Sequence, residues 1–442
     1  MYLPPQVEYC IGRLEQAGFP AYAVGGCVRD ACLGLQPQDY DLCTAALPEE
    51  ICELFSRHSL VTNGQKHGTI GVVVDRNVYE ITTFRTEGSY SDSRHPDWVR
   101  FVPAVEEDLA RRDFTVNAMA YSPTRGFADP FGGRQDLQNG ILRAVGPPQL
   151  RFTEDALRIL RGVRFAAKYR LEPENETLQA MLSLAPRLEN VAAERIFDEL
   201  CKLLPLAQWQ HFCMFAPILT QVIPELAPCV GFDQRNRHHL YDIYRHSGHV
   251  VEAVPETLSL RWAALLHDIG KPATFSLDAA GNGHFYGHDK ESAQMADGIL
   301  RRLKAPNALR QQAVQLIELH MTKIEPEKKV VRRWLGRLGQ ETMEQLLLLQ
   351  EADMGSKGTG TPSEISQFDQ IRQILQQILA ENACFSLKDL AVNGHDLMAL
   401  GITGRQIGRT LQHLLEQVME DALPNEKTAL LAAAAAQTQN QE

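Results

Sequence analysis

The sequence predicts an α+β protein: a mixed-sheet α/β head followed by an all-helical remainder. Three observations carry that expectation. Strand-like runs rich in β-branched and aromatic residues crowd into the first part of the chain, at 21–24, 69–74, 79–84 and 98–102. Gly and Pro punctuate the same region and then thin out. From Thr153 onward apolar residues recur at helical spacing, and strand-like runs almost vanish.

The first strand runs into Val24-Gly25-Gly26-Cys27-Val28-Arg29-Asp30. Gly25 and Gly26 remove two side chains from the turn, so a triphosphate can approach backbone N–H groups. Arg29 adds a fixed positive charge for the phosphates. Asp39-Tyr40-Asp41 follows. If Tyr40 lies in a strand, Asp39 and Asp41 point to one face and can share hard divalent cations such as magnesium. A Gly pair alone is a turn, and D-x-D alone is a solvated strand face. Their joint order and spacing favour the phosphate and metal reading.

Asp108 to Ala118 packs Arg111, Arg112, Asp113 and Asn117 into a short span. Arg112 can pair with a phosphate, and Asp113 and Asn117, at i and i+4 of a helix, can hydrogen-bond a ribose. The bland alternative is an exposed helix laced with ion pairs. Breaks are expected near Pro147-Pro148, near 224–228 and at the Gly-rich stretch 355–362, a linker or mobile loop. Thr153 is the expected N-cap of the next helix, with Glu154 and Asp155 in its first turn. On that helix Arg158, Arg161 and Arg164 form one stripe, with Asp155 three residues before it. An Asp acceptor beside Arg donors can read the Watson–Crick edge of a base, so protein replaces a template. The alanine run at 432–436 and the Gln/Asn-rich end suggest a frayed helix and disordered tail.

Taken together, G-G-x-V-R-D, D-x-D, R-R-D-x-x-x-N-A and E-D-x-x-R-x-x-R stand in order. The chain resembles the class II tRNA nucleotidyltransferases, the family of CCA-adding enzymes and bacterial poly(A) polymerases, over nearly its full length. The resemblance implies that Asp39 and Asp41 bind magnesium and that Gly26 and Arg29 contact the incoming nucleotide. It implies that Arg112, Asp113 and Asn117 bind its sugar and phosphates. It also implies that Asp155 and Arg158 select CTP or ATP, with Arg161 and Arg164 on phosphate and Glu80 as a candidate third carboxylate. The implied partner is tRNA. The implied domains are a head at 1–145, a neck of nucleotide-selecting helices at 146–205, a body at 206–355 and a tRNA-binding tail at 356–442. Phe84 to Pro96 resembles the flexible loop of enzymes that add the terminal A, with Glu87 where an Asp is usual. Ala193-Glu194-Arg195-Ile196 with Glu199-Leu200 resembles the neck helix, where Glu and Arg are expected to be structural. Neither a strongly basic C-terminus nor a further R-R-F motif is present, so full CCA addition leads over a poly(A) polymerase or A-adding enzyme.

His267-Asp268-Ile269-Gly270-Lys271 resembles the signature of HD-family metal phosphohydrolases. Adjacent His and Asp can reach one ion, of manganese, nickel or iron type. His246 or His249 upstream, His288 and Asp353 complete the set in order, with His320 a further candidate. Such a domain could trim RNA ends or be a vestigial scaffold. Two readings of other classes therefore remain: an HD-type phosphohydrolase with a nucleotide-sensing head, and a non-catalytic RNA-binding scaffold.

The 442 residues suffice for roughly three domains. A net charge of −11 argues against coating nucleic acid through general electrostatics. RNA must then meet local basic patches, for which Arg151 to Arg170 and Lys323 to Arg337 are candidates. An odd nine Cys without C-x-x-C read as reduced thiols. No long apolar run and no signal-like N-terminus are seen, so no membrane partner and a cytoplasmic location are expected. Oligomeric state is left open.

Overall fold

Nine strands come first: β1 (Ala21–Val24), β2 (Leu42–Thr44), β3 (Leu60–Val61), β4 (Thr69–Val74), β5 (Asn77–Thr83), β6 (Arg85–Glu87), β7 (Val99–Phe101), β8 (Ala120–Ser122) and β9 (Gly126–Ala128). Seven of them make one mixed sheet in the order β3-β4-β5-β2-β1-β8-β9. β1 and β2 are antiparallel, with Ala23 opposite Leu42. The exit of β1 and the entry to β2 therefore lie at one sheet end, which brings the Gly25 turn to the Asp39–Asp41 segment. β5 runs parallel to β2 with Ile81 opposite Leu42, so Glu80 comes beside Asp41. The expected strands at 21–24, 69–74, 79–84 and 98–102 correspond to β1, β4, β5 and β7. The short strands β2, β3, β6, β8 and β9 lie outside those four runs.

The computed structural model describes residues 1–88, 98–235, 240–357, 362–381, 384–420 and 422–439. β6 and β7 pair as a two-stranded stem, and most of the loop read at 84–96 lies outside the described residues. The chain divides into two compact units, Met1–Ala227 with Arg302–Ala305, and Pro228–Arg301 with Pro306–Glu442.

In the first unit the helices are α1 (Pro5–Gln16), α2 (Gly26–Cys32), α3 (Pro48–Leu54), α4 (Val105–Ala110), α5 (Gly133–Asn139), α6 (Pro148–Glu154), α7 (Leu157–Tyr169), α8 (Asn175–Leu184), α9 (Ala193–Leu203), α10 (Trp209–Met214) and α11 (Ala216–Val222). The segment before Pro147 and the helices after it share packing here. Phe114 meets Phe152 of α6 and Phe165 of α7 with ring centroids 6.2 and 5.8 Å away. A Cβ at Gly162 would lie 2.9 Å from Phe114, so glycine lets α7 close onto the ring.

Two local expectations change. Thr153 lies inside α6, which begins at Pro148, where a missing N–H costs nothing. The break comes two residues later, and Asp155 Oδ1 accepts from the Leu157 amide at 3.0 Å to start α7. The expected helix through 108–118 ends at Ala110, and Thr115–Asn117 is one 3₁₀ turn. The Asp113–Asn117 contact survives, because that turn also brings the residues together.

The second unit is nearly all helix, as expected. It contains α12 (Ile243–Ala253), α13 (Leu258–Leu266), α14 (Lys271–Thr274), α15 (His288–Arg302), α16 (Asn307–Leu319), α17 (Lys328–Leu338), α18 (Gln340–Ser356), α19 (Pro362–Ala380), α20 (Gly394–Ala399), α21 (Arg405–Met419) and α22 (Lys427–Gln439). Leu397, Leu414, Leu430 and Ala434, all fully buried, centre the core of its last helices. The alanine run thus belongs to an ordered helix that packs. Among the described residues no helix is long and apolar enough to cross a membrane.

Candidate active site and candidate metal centre

Gly25 sits at φ +76°, and a Cβ there would lie 2.8 Å from Arg112 Nη1. Both facts demand glycine and seat a guanidinium against the turn. The turn opens on a cavity of about 470 Å³ that holds all nine residues read as nucleotide-binding: Gly26, Arg29, Arg112, Asp113, Asn117, Asp155, Arg158, Arg161 and Arg164. Arg111 and Arg195 also line it, so seven guanidiniums face the three carboxylates of Asp41, Asp113 and Asp155. That excess of positive charge suits a polyphosphate.

Most of these charges are paired with one another. Asp113 accepts from Arg161 Nε at 2.8 Å, Asn117 Nδ2 at 2.9 Å and the Phe114 amide at 2.9 Å. Burial opposes its ionisation, yet Arg161 and Asn117 bring its pKa down to about 2. Asp155 receives Arg195 at 2.8 Å, and Arg158 donates to Glu154 at 2.6 Å. Arg164 donates to Glu199 at 2.6 Å. Arg29 donates to Asp30, to Asn117 Oδ1 and to the Tyr169 hydroxyl.

Asp39-Tyr40-Asp41 does not lie within an assigned strand but leads directly into β2. The Asp41 carbonyl accepts from the Val24 N–H at 2.9 Å, which extends the pairing to β1 by one residue. Asp41 lines the cleft and is exposed to solvent. Desolvation raises its pKa, Arg112 opposes the rise, and Asp39 adds to it. Two carboxylates that repel each other at the mouth of a polyphosphate cleft fit the donor set of a hard divalent cation. Asp41 also lines a second recess, of about 580 Å³, with Asp39 and Glu80. Asp39, Asp41 and Glu80 do not bring three ligand atoms within 4.8 Å of one another.

In the second unit, ligand atoms of His246, His267, Asp268 and Asp353 lie within 4.8 Å of one another, and those of Asp268, His288 and His320 form a second such group. Asp268 belongs to both. Its Oδ2 is 3.3 Å from His267 Nε2, while its Oδ1 is 3.4 Å from His288 Nε2 and 3.9 Å from His320 Nε2. His246 Nε2 meets Asp353 Oδ1 at 2.9 Å. His249 instead stacks on Tyr241 with centroids 4.5 Å apart, so His246 is the upstream partner.

The imidazoles are oriented alike. Nδ1 of His267, His288 and His320 contacts the backbone carbonyl three residues earlier, at 2.9, 2.7 and 2.6 Å. Donation to those carbonyls leaves Nε2 as a lone-pair donor aimed into the cluster. The Nε2 atoms of His267, His288 and His320 are buried without a hydrogen-bond partner, while the Lys271 ammonium lies 2.7 Å from Asp268 Oδ2. Burial disfavours charge on His267, but Asp268 and Asp353 hold its pKa up to about 10, so an ion entering the cluster must displace the Nε2 proton before that nitrogen can ligate it. Burial and the neighbouring His267 push His320 down to about 4. Three imidazole nitrogens converging on the carboxylate of Asp268 fit a divalent metal of transition type.

Residues 21–143 match the poly(A) polymerase head domain family. Residues 170–228 match the family described as a probable RNA- and SrmB-binding site of polymerase A, and residues 288–434 that of tRNA nucleotidyltransferase domain 2. Fold and cleft thus define a polymerase-type nucleotidyltransferase. A CCA-adding enzyme of Levilactobacillus brevis is 35% identical over 439 residues, 98% of each chain. One from Streptococcus suis is 34% identical over 97% of this chain and 96% of its own. The Bacillus stearothermophilus CCA-adding enzyme, crystallised in complex with CTP, superposes with a TM-score of 0.75 at 28% identity, over 100% of this chain and 99% of its own. The chain belongs to the CCA-adding enzyme family.

Arg195 and Tyr169 are the contacts with no local signal in the sequence. Arg195 stood in a neck segment whose charged residues were expected to be structural, yet it lines the cleft and pairs with Asp155.

Proposed function

We infer that this chain adds CCA to tRNA 3′ ends without a nucleic acid template, using CTP and ATP and releasing diphosphate. The observation that supports this most is the single cleft in which Asp155 and Arg158 lie with the arginine wall and Asp41. Asp155 offers acceptors and Arg158 donors, a set that can match the edge of cytosine or adenine in turn. Arg29, Arg112, Arg161 and Arg164 orient the triphosphate, and Asp113 with Asn117 holds Arg161 and Arg29 in place. Magnesium bound by Asp39 and Asp41, the chemistry of the two-metal class, would neutralise the α-phosphate and lower the pKa of the RNA 3′-hydroxyl. Glu80 would be a third carboxylate from the recess it lines with Asp39 and Asp41. In this scheme 1–145 is the head, 146–205 the neck, 206–355 the body and 356–442 a tail that holds tRNA, and the work is cytoplasmic.

Incubating tRNA transcripts that lack CCA, end in C or end in CC with magnesium, CTP and ATP, then sequencing the 3′ ends, tests the reading. Uniform conversion to CCA followed by arrest supports it. A long A tail, addition of A alone or addition of CC alone reassigns the chain to a poly(A) polymerase or a partial enzyme.

The orphaned atoms of the histidine cluster favour a second activity, hydrolysis of phosphate esters at RNA ends. His246, His267, Asp268 and Asp353 would hold one ion of manganese, nickel or iron type, and Asp268, His288 and His320 another. Release of phosphate or opening of a 2′,3′-cyclic end by the intact protein, lost in Asp268→Asn, is the test; equal hydrolysis by that variant contradicts the assignment.

A further inference from the structure

Arg29 is only 6% exposed, and its guanidinium meets Asp30 of its own motif and Tyr169, which lies outside every motif described above. Asp30, its neighbour in sequence, takes Nε at 2.9 Å and Nη2 at 2.7 Å on the same oxygen, Oδ1. Alone, that carboxylate would neutralise the guanidinium and compete with any phosphate for it. Tyr169, the last residue of α7, intervenes. Its hydroxyl donates to Asp30 Oδ1 at 3.1 Å and accepts from Arg29 Nη2. Its ring lies under the guanidinium, with Cζ 4.2 Å from the centroid, and the Phe165 ring follows at 5.4 Å.

We propose that Tyr169 is a positioning residue for the incoming nucleotide, acting through Arg29. The hydroxyl draws on the charge of Asp30, so less of it is spent on Arg29. The ring fixes the plane of the guanidinium through the attraction of its face for a cation. The opposite edge, Nη1, is thereby directed to Asn117 and the cleft. Desolvation, partly opposed by Arg29, holds the Tyr169 pKa up to about 12, so the hydroxyl keeps its donor proton at neutral pH. Tyr169 also ties α7, which carries Arg158, Arg161 and Arg164, to α2, which carries Gly26 and Arg29.

The inference rests on the nucleotide-binding reading of the cleft, so the test begins with binding by the full chain. Calorimetric titration of the wild type with CTP or ATP and magnesium gives the reference. Tyr169→Phe keeps the ring and loses the hydroxyl, and should weaken both nucleotides by about 3- to 10-fold, the scale of one ordinary net hydrogen bond, since the hydroxyl acts only through Arg29. The loss should be equal for CTP and ATP, because Arg29 meets phosphate and not base. In addition assays KM should rise while kcat at saturating nucleotide stays within about twofold. In an Arg29→Ala background the same change should do nothing further, and in Asp30→Asn it should do less. An undiminished effect in Arg29→Ala, a base-selective effect, or unchanged binding in Tyr169→Phe overturns the proposal. Failure of the wild type to bind either nucleotide overturns the cleft reading itself, and this inference with it.

Discussion

The arginine-walled cleft and the histidine cluster are both dense in charge, yet their polar atoms are satisfied in opposite ways. In the cleft Asp113 has Arg161, Asp155 has Arg195 and Arg164 has Glu199. An incoming ligand must therefore exchange partners, which is inexpensive where water can help, and which suits a site that releases product and accepts two bases. In the cluster, Nε2 of His267, His288 and His320, all buried, converge on Asp268 without a hydrogen-bond partner of their own. Each such atom costs about 1–3 kcal/mol when unsatisfied, so the cluster suits a resident ion rather than a passing ligand. The lesson is that pairing within a site separates a binding cleft from a metal centre better than charge density does.

The largest effect should come from Asp39→Ala or Asp41→Ala, each expected to reduce nucleotide addition by about 10³-fold or more with little change in Tm, since on the proposed reading the metal-assisted steps would rest on that pair. Addition above a tenth of the wild-type rate would break the comparison at its first member. Next, Asp155→Ala should change the preference between CTP and ATP by about 10- to 100-fold, the scale of one or two hydrogen bonds to charged groups. Competition between the two nucleotides on one transcript measures it, and an unchanged ratio would remove Asp155 from base selection.

Stripping metal from the second unit with a chelator should lower Tm by several degrees, and manganese should restore it. No response would mean the orphaned atoms are tolerated without an ion. The smallest effect concerns Asp113. Its folded pKa of about 2 lies below the ordinary 3.8, so its pairing contributes about 2 kcal/mol, fully present above pH 4 and lost as pH falls toward 2. Urea unfolding should find Asp113→Asn less stable by that amount at pH 7, with the gap closing as pH drops below 4. A constant gap would show that the ion pair is not its source.

Much of the first site was legible because its parts are short and local. Gly25-Gly26, Asp39–Asp41 and Arg158, Arg161 and Arg164 sit within spans that one turn or helix face can align. Arg195 was not legible, since its partner Asp155 is 40 residues away and only the packing of α9 beside α7 joins them. Tyr169 meets Asp30 across 139 residues, for the same reason. The Thr153 cap went astray because Pro148 starts a separate short helix first. The strand expected through Tyr40 stops at the next residue but one, yet the one-residue extension onto β1 leaves the carboxylates at the same sheet end. In the second unit the H-D-I-G-K run marked the candidate metal centre, but His246 and His249 could be separated only by seeing which ring stacks on Tyr241.

The most direct measurement is CCA addition to a truncated tRNA by Asp39→Ala and Asp268→Asn, side by side with the wild type, together with metal content. Addition abolished in the first and kept within about twofold in the second, with bound transition metal lost only from the second, is the predicted result. Addition that survives Asp39→Ala, or that falls with the metal in Asp268→Asn, would contradict the division of the chemistry between the two sites.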